Sequence, residues 1–362
     1  MFKNAKIVSV GADANDYHAQ TAERGTKEFV ISSSSLRAVF AKSPSAWFKG
    51  WTLAESESLE YGSLLDVLVL TPEQFERQYI LQPENYESAS LECPTCKSVG
   101  KGKKCATCKV ERVESIVSKP WSNNSDTCAA WIETQAKAGR TVVDQFELDK
   151  AIAAKKRLMD DEEISAFIAG CDRQMWIEAE WHDAATGLII PVKCLIDLAG
   201  KAGTPFAAML GDLKSTKDAS NIGWARWGRR VGYDLQAAWN FDLFKAAGRE
   251  AASFHFVLSE NFLPYEVGRR ICTQDESDPE MDERSSLVSG RRQYRRMMAD
   301  YCQFLKSGKW PGYDDTDEAS ASGWTPFLTD PYEENRRMFA PKFVTAPAAP
   351  EETVEENPDL IP

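Results

Sequence analysis

The segments Ile196-Asp197 and Gly211-Asp212-Leu213-Lys214-Ser215-Thr216 decide how this chain of 362 residues folds. Each acid follows a short apolar run of the kind that forms buried strands. Asp212 and Lys214 are two residues apart, so on a strand their side chains point to the same face. We therefore predict that Asp197 ends one strand and that Asp212 and Lys214 lie on the next, with a turn between them.

This grouping of charges favours metal-assisted hydrolysis of a phosphodiester. Carboxylates are ligands that Mg²⁺ prefers, and the backbone carbonyl of Leu213 offers a further oxygen. A bound metal lowers the pKa of water, while Lys214 can steady the hydroxide or the phosphate. An Asp-x-Lys triplet alone is usually a surface ion pair, so the interpretation depends on the rest of the chain.

Outward from these segments, the patterning predicts an α/β fold with several strands followed by a long helical stretch. Alternation or short apolar runs predict strands at 176–181, 188–198, 207–214, 253–259 and 265–271. Helical spacing and capping residues predict helices at 36–40, 61–70, 127–138, 145–159, 221–248 and 287–307, with a possible break near Gly232. Serines 32–35 read as the cap of the first helix, and Pro44 begins another short one.

The composition indicates a reducing, non-membrane environment. No apolar run reaches 18 residues, and the chain opens without a charged-then-apolar signal pattern. Nine cysteines without such a signal favour metal binding over disulfides. We therefore expect no membrane association and a cytoplasmic location.

The net charge of −12 is concentrated at one end of the chain. Residues 313–362 carry twelve acids and three bases, and their Pro- and Ala-rich stretch resembles a linker. We expect them to form an acidic, disordered tail. The remainder is close to neutral, so the acidic total does not exclude DNA as a partner.

A basic and aromatic stretch follows the Asp212 strand. It contains Trp224 and Trp227 together with the candidate DNA-binding residues Arg226, Arg229 and Arg230. One interpretation is that the arginines contact phosphates while a tryptophan stacks on a frayed base. The alternative is a helix that packs its tryptophans inward and leaves its arginines in solvent.

Two Cys-x-x-Cys pairs lie in a polar segment rich in Lys and Gly, at Cys93, Cys96, Cys105 and Cys108. Two such pairs can close a tetrahedral thiolate site, and a segment without a core would take its folding energy from the metal. We therefore predict a structural Zn²⁺ site in a ribbon covering residues 90–112. Five lysines leave open whether the ribbon grips DNA or is merely soluble.

Several motifs occur in a fixed order between about residues 30 and 313. They are the serine-capped start 32–36 with 43–46, the helix 61–66 that begins Tyr-Gly, the strands 192–197 and 211–216, the helix start Tyr233-Asp234-Leu235-Gln236, and the closing Trp310-Pro311-Gly312-Tyr313. Together they resemble the motifs of the PD-(D/E)XK nuclease superfamily, and specifically the RecE-like (exodeoxyribonuclease VIII-type) phage and prophage exonucleases, in which the helix at 61–66 has the pattern Gly-x-x-x-His.

The resemblance implies a restriction-endonuclease-like core, a central mixed sheet flanked by helices, into which the zinc ribbon is inserted. It implies that Asp66, Asp197 and Asp212 bind Mg²⁺ or Mn²⁺ and that Lys214 is catalytic. Gln236 and Tyr233, one turn apart on the same face, would position Lys214 or the scissile phosphate. Ordinary helix packing is the alternative for those two residues. Glu180 is expected either to face the same pocket or to be a solvated strand end.

Two positions depart from the family pattern. Asp66 stands where the family usually has His, and a carboxylate suits a hard cation better than imidazole does. Leu195 occupies the place where the family often has Arg, which removes an expected phosphate contact. We expect zinc rather than an iron–sulfur cluster in the ribbon. Similar nucleases with iron–sulfur clusters use cysteines spread along the chain, whereas these four cysteines lie in one short segment.

The expected organisation is an N-terminal extension (1–30), a nuclease domain (31–312) containing the ribbon (90–112), and the tail (313–362). By resemblance, the activity would be Mg²⁺-dependent digestion of linear duplex DNA from its ends, exposing single strands for recombination. A RecT-like single-strand annealing protein would be the partner, and the enzyme would be a homo-oligomer. The alternatives are an endonuclease, a nuclease acting on RNA, and a non-catalytic DNA-binding protein.

Overall fold

A six-stranded mixed sheet forms the centre of the protein. The computed structural model describes residues 1–19, 22–52, 57–273 and 285–313. The strand order is β1-β6-β7-β8-β9-β10, and every neighbouring pair is antiparallel except β8 and β9. These strands are β1 (Phe2–Ser9), β6 (Cys171–His182), β7 (Ile189–Gly200), β8 (Met209–Thr216), β9 (Ser253–Glu260) and β10 (Val267–Thr273).

Two small sheets lie outside the central one. The parallel pair is β2 (Tyr79–Leu81) with β5 (Thr141–Val143), and the antiparallel hairpin is β3 (Asn85–Glu92) with β4 (Val113–Pro120). The helices are α1 (Ala14–His18), α2 (Ser33–Phe40), α3 (Pro44–Phe48), α4 (Glu57–Leu70), α5 (Phe75–Gln78), α6 (Asp126–Lys137), α7 (Gln145–Met159), α8 (Glu162–Ala169), α9 (Asn221–Val231), α10 (Tyr233–Ala246) and α11 (Ser286–Ser307), with a 3₁₀ turn at Pro72–Gln74.

Helices cover both faces of the sheet. Because β8 and β9 are parallel, the chain must cross over between them, and α9 and α10 make that crossover. On one face, α2, α10 and α11 bury a core that includes Trp239, Phe244 and Tyr301. On the other face, α4, α7 and α8 bury a second core around Leu65 and Leu158. The predicted α/β fold, with a central mixed sheet flanked by helices, is confirmed.

The serine-rich start of α2 has the predicted capping role. The Ser32 side chain accepts from the backbone N–H of Ser35, and the Ser35 hydroxyl accepts from the backbone N–H of Ser32. This reciprocal pair satisfies two donors that the helix cannot satisfy itself. The Ser43 side chain caps α3 by accepting from the backbone N–H of Ala46, and Pro44 occupies the first turn. The order of these short elements therefore follows directly from the sequence.

Residues 1–30, expected to form an extension, contribute a strand to the central sheet. β1 pairs with β6, and the Phe2 ring packs 5.0 Å from the ring of Trp239 and 5.3 Å from that of Trp181. The alternation that would reveal this strand is interrupted, since Asn4 has a φ of 54° and the register shifts twice. Such bulges hide a strand from period-2 patterning.

The expected acidic tail lies outside the described residues, apart from Tyr313. The expected ribbon lies between β3 and β4, a hairpin that the polar sequence did not predict. Among the described helices, none combines the length and the apolar character needed to cross a lipid bilayer.

Candidate functional site

The central feature of the site is the point where β7 and β8 separate. The two strands pair only at Leu198 with Gly211 and at Ala199 with Leu210. Next to these two pairs, the backbone N–H of Leu213 bonds to a side chain instead of to a β7 carbonyl. It donates a 2.9 Å hydrogen bond to Oδ2 of the Asp197 carboxylate. The separation opens the sheet immediately beside Asp197 and Asp212, and both side chains are buried.

Asp212 and Lys214 meet on one face of β8, as their spacing predicts. The Lys214 ammonium forms an ion pair with Asp212 Oδ2 and also donates to the Leu213 carbonyl at 3.3 Å. Burial opposes the charged ammonium, but the carboxylates of Asp212 and Asp197 outweigh it and raise the pKa of Lys214. Lys214 is therefore held as a cation.

The start of α10 closes the other side of the site. Gln236 Nε2 donates a 2.8 Å hydrogen bond to Asp212 Oδ1, and the Tyr233 ring lies 5.4 Å from Lys214 Nζ. The predicted break at Gly232 makes this possible, because its φ of 75° turns the chain between α9 and α10. A Cβ at Gly232 would also lie 2.9 Å from Arg37 Cδ, so glycine is needed for both conformation and space.

Asp66 reaches the same cluster from α4. A Cβ added to Gly62 would lie 3.1 Å from Ser215 Oγ, so the glycine permits α4 to approach the end of β8 closely. Asp66 lies one helical turn after Gly62 and therefore on the same side of α4. Burial, with a further contribution from Asp212, raises the pKa of Asp66 to about 7, although Lys214 opposes the shift.

Carboxylates are the kind of ligand that a hard divalent cation takes. Among the described residues, however, the carboxylates of Asp66, Asp197 and Asp212 do not lie within 4.8 Å of one another, as the four thiols described below do. Burial, followed by the charges of Asp212 and Asp66, raises the pKa of Asp197 well above its usual range. Asp212 Oδ2 accepts no hydrogen bond among the described residues, and only the Lys214 ammonium neutralises it. If all three carboxyls were ionised, one lysine could not balance their charge, and a hard cation would compensate the remainder.

Two further residues that the sequence did not single out belong to this cluster. Gln174 is buried on β6 and its Nε2 donates to Asp197 Oδ1 at 3.3 Å. Its φ of 48° is unusual for a residue within a strand, and nothing in the local sequence signals it. The guanidinium of Arg37, on α2, lies 5.9 Å from the Tyr233 ring centroid, and its Nη1 donates to the carbonyl of Val231. In the sequence, Arg37 is marked only as a basic residue within the serine-capped helix.

Glu180 lies away from the cluster. Its carboxylate accepts from Asn4 Nδ2 at 2.7 Å and is 2.9 Å from His182 Nε2, on the solvent-exposed end of β6. Of the two alternatives for Glu180, the solvated strand end is therefore correct. The expectation that it faces the metal pocket is wrong, because its carboxylate contacts Asn4 and His182 instead.

On α9 the packing alternative holds for Trp224 and the three arginines but not for Trp227. Trp224 packs inward and stacks on Tyr233, with ring centroids 5.1 Å apart. Trp227 is 48% exposed, and Arg226, Arg229 and Arg230 are exposed as well. The helix therefore presents three cations and one aromatic ring to solvent.

The four predicted zinc ligands converge. The Sγ atoms of Cys93, Cys96, Cys105 and Cys108 all lie within 4.8 Å of one another, and those of Cys96 and Cys105 are 3.6 Å apart. Zn–S bonds of about 2.3 Å in a tetrahedron would separate the sulfurs by about 3.8 Å. The other five cysteines are buried elsewhere. The four thiols are thus placed to hold one metal ion such as zinc.

The two Cys-x-x-Cys turns have the same backbone pattern. Lys97 N donates to the Cys93 carbonyl at 2.9 Å, and Lys109 N donates to the Cys105 carbonyl at 2.9 Å. Both lysines have positive φ, of 59° and 60°. The sequence predicts a tight turn in each pair, and the structure adds that both turns end in a left-handed lysine.

Comparison with known proteins finds only distant structural similarity. No protein-family model and no curated protein matches the chain. A crystal structure of a proposed exonuclease from Eubacterium rectale is similar over 88% of this chain and 95% of its own, with 14% identity and a TM-score of 0.44. A phage-related exonuclease from Haemophilus somnus 129PT is similar over 51% of this chain and 85% of its own, with 12% identity and a TM-score of 0.25. Both TM-scores are below 0.5, so neither likeness carries an argument.

Proposed function

We propose that this protein is a metal-dependent deoxyribonuclease with a PD-(D/E)XK, restriction-endonuclease-like core. The observation that carries the proposal is the cluster at the separation of β7 and β8. Asp197 and Asp212 are buried there, Lys214 is ion-paired to Asp212, and Gln236 bonds the same carboxylate. Acids that hold a hard cation beside a lysine fixed as a cation are suited to phosphodiester hydrolysis.

In this proposal, Mg²⁺ or Mn²⁺ would be held by Asp66, Asp197, Asp212 and the Leu213 carbonyl. When bound, the metal would supply Lewis-acid chemistry and lower the pKa of a water molecule. Lys214 would stabilise negative charge on the phosphate or orient the water. Gln236 would orient Asp212 through its 2.8 Å hydrogen bond, and Tyr233 would confine the Lys214 side chain.

We further propose that the substrate is linear double-stranded DNA, digested from its ends to expose single strands for recombination. The ordered motifs of the RecE-like exonucleases in the sequence support this. The exposed Arg226, Arg229 and Arg230 on α9, which precedes the α10 that carries Gln236, would contact DNA phosphates. A RecT-like annealing protein would take up the exposed strand, and the enzyme would act as a homo-oligomer.

The test is digestion of end-labelled linear duplex and of covalently closed circular duplex, with Mg²⁺ or Mn²⁺. The wild type should degrade the linear DNA and spare the circle. Asp212→Asn keeps the shape of the side chain but removes its charge. Loss of a residue that only orients a metal ligand lowers activity by up to about 100-fold, so loss of a proposed ligand should lower the rate by at least that factor. Asp160→Asn, at an exposed acid paired with Lys156, is the matched control and should keep full activity.

Each alternative has its own outcome. Cutting of the circle would indicate an endonuclease, and faster hydrolysis of duplex RNA would indicate an RNA-acting nuclease. If the wild type is as inert as Asp212→Asn with either metal, the protein is not a nuclease, and a non-catalytic DNA-binding role replaces this proposal.

A further inference from the structure

A strongly basic segment lies at the end of the β3–β4 hairpin, and the active-site proposal does not use it. Residues 93–110, named here the ribbon tip, contain Lys97, Lys101, Lys103, Lys104 and Lys109 and no acid, in a chain whose net charge is −12. Four thiolates around one Zn²⁺ would contribute about −2, so the tip would keep a clear positive charge. Positive charge concentrated in so short a segment favours binding to a negatively charged partner.

The five lysines of the ribbon tip are all available to a partner. Each side chain is exposed, and none forms an ion pair with another residue in the described part of the chain. The neighbouring Arg112 is not available in the same way, because its Nη1 donates to the carbonyl of Ser98. The tip therefore presents lysines on a backbone fixed by the two Cys-x-x-Cys turns.

The stem that carries the tip has a different charge. Glu87, Glu92, Glu111 and Glu114 lie on or beside β3 and β4, with Lys119 and Arg112 as the bases. Each strand has eight residues, so the stem is about 25 Å long at a rise of about 3.3 Å per residue. Positive charge is thus confined to the far end of an arm rather than spread along it.

We propose that the ribbon tip grips the phosphate backbone of duplex DNA without reading its sequence. Lysine ammonium groups suit phosphates, and the tip has no arginine for bidentate contacts to guanine. It also has no aromatic residue, so it lacks the stacking platform that single-stranded DNA requires. Binding that ignores sequence is what an enzyme advancing along any duplex needs. The inference rests on the proposed function because it takes DNA as the substrate.

The experiment measures binding of a blunt 30-base-pair duplex by fluorescence anisotropy without Mg²⁺, over a range of salt concentrations. The tip variant carries Lys101→Gln, Lys103→Gln and Lys104→Gln. It keeps Lys97 and Lys109, because their positive φ shapes the metal turns. Losing three phosphate contacts should make the slope of log K against log salt shallower by about three, equally for AT-rich and GC-rich duplexes.

A matched control neutralises three exposed lysines elsewhere, with Lys3→Gln, Lys49→Gln and Lys201→Gln. Its slope should stay close to that of the wild type, and both variants should retain the wild-type zinc content. The inference is overturned if the tip variant keeps the wild-type slope, if the control loses as much, or if only single-stranded DNA is affected. Should the wild type bind duplex through the tip yet fail to hydrolyse it, the nuclease proposal falls and the ribbon inference stands.

Discussion

Gln236 Nε2 donates a 2.8 Å hydrogen bond to Asp212 Oδ1, which joins the crossover helix α10 to strand β8. The bond leaves Oδ2 of the same carboxylate to the Lys214 ammonium. Asp212 is 1% exposed, so its orientation is set by these two neighbours rather than by water. Gln236 therefore fixes which oxygen of Asp212 faces the Lys214 ammonium.

The first prediction concerns this hydrogen bond. Gln236→Leu keeps the volume of the side chain but leaves Asp212 without its donor, so DNA hydrolysis should fall about 10- to 100-fold, as for other residues that orient a metal ligand. The measurement is the initial rate on linear duplex with saturating Mg²⁺.

Gln293→Leu is the control for that variant. Gln293 Nε2 donates to Asp234 Oδ2 at 2.7 Å, a bond of the same kind away from the carboxylate cluster. Both variants should lose about 1 kcal/mol of stability, but only Gln236→Leu should lose activity. Equal activity of the two variants would remove Gln236 from the proposed mechanism.

Much of the fold and of the site follows from local sequence. Strands β7 and β8 were predictable because apolar runs end at turns rich in Gly, and the two-residue spacing of Asp212 and Lys214 sets a common face. Tyr233 and Gln236 were predictable as neighbours because they are one helical turn apart. The four cysteines were predictable because their repeated spacing is independent of the surrounding fold.

What the sequence did not reveal depends on contacts between distant segments. Gln174 joins the site because β6 pairs with β7, which places it opposite Asp197, 23 residues further along the chain. β1 is hidden because Asn4 interrupts its alternation, and its pairing partner is more than 160 residues further on. The β3–β4 hairpin has one exposed face and one that is only half-buried, and serines interrupt the half-buried face, so the sequence shows no clear apolar periodicity.

The second prediction concerns Asp66 and pH. Its pKa in the folded protein is about 7, above the ordinary 3.8, so the folded state binds the proton more tightly than the unfolded state does. Asp66 therefore destabilises the metal-free protein progressively as the pH rises from about 4 to about 7, and by a constant amount above that. Asp66→Asn removes this effect.

The corresponding measurement is the melting temperature of wild type and Asp66→Asn in buffer without Mg²⁺ and without chelator, so that the zinc stays in place. The gain in Tm for the variant should grow between pH 4 and pH 7 and then level off. A gain that is independent of pH, or one that shrinks as the pH rises, would contradict the raised pKa of Asp66.

The third prediction concerns the ribbon. Cys96→Ser removes one of four thiolates, so the zinc content should fall from one per chain toward none and residues 93–110 should lose their folded turns. Trypsin should then cleave at the five lysines of the ribbon tip in the variant but not in the wild type. Elemental analysis and mass spectrometry of the fragments give the two readouts.

Cys128→Ala is the matched control, since Cys128 is buried on α6 and lies outside the group of four thiols. It should keep one zinc per chain and an intact ribbon. Retention of zinc by Cys96→Ser, or iron in the wild type in place of zinc, would show that the four thiols do not form a structural zinc site.

The fourth prediction tests whether the N-terminal strand belongs to the core. Phe2 lies in an aromatic cluster with Trp181, Trp239 and Tyr294, its ring 5.0–5.6 Å from theirs. Phe2→Ala should lower the free energy of unfolding by about 2–3 kcal/mol, somewhat less than a fully buried phenylalanine, because Phe2 is only partly buried. Val8→Ala, on the same strand but 42% exposed, should change it by less than about 0.5 kcal/mol. Urea denaturation measures both values, and equal values would mean that β1 adds little to the core that supports the site.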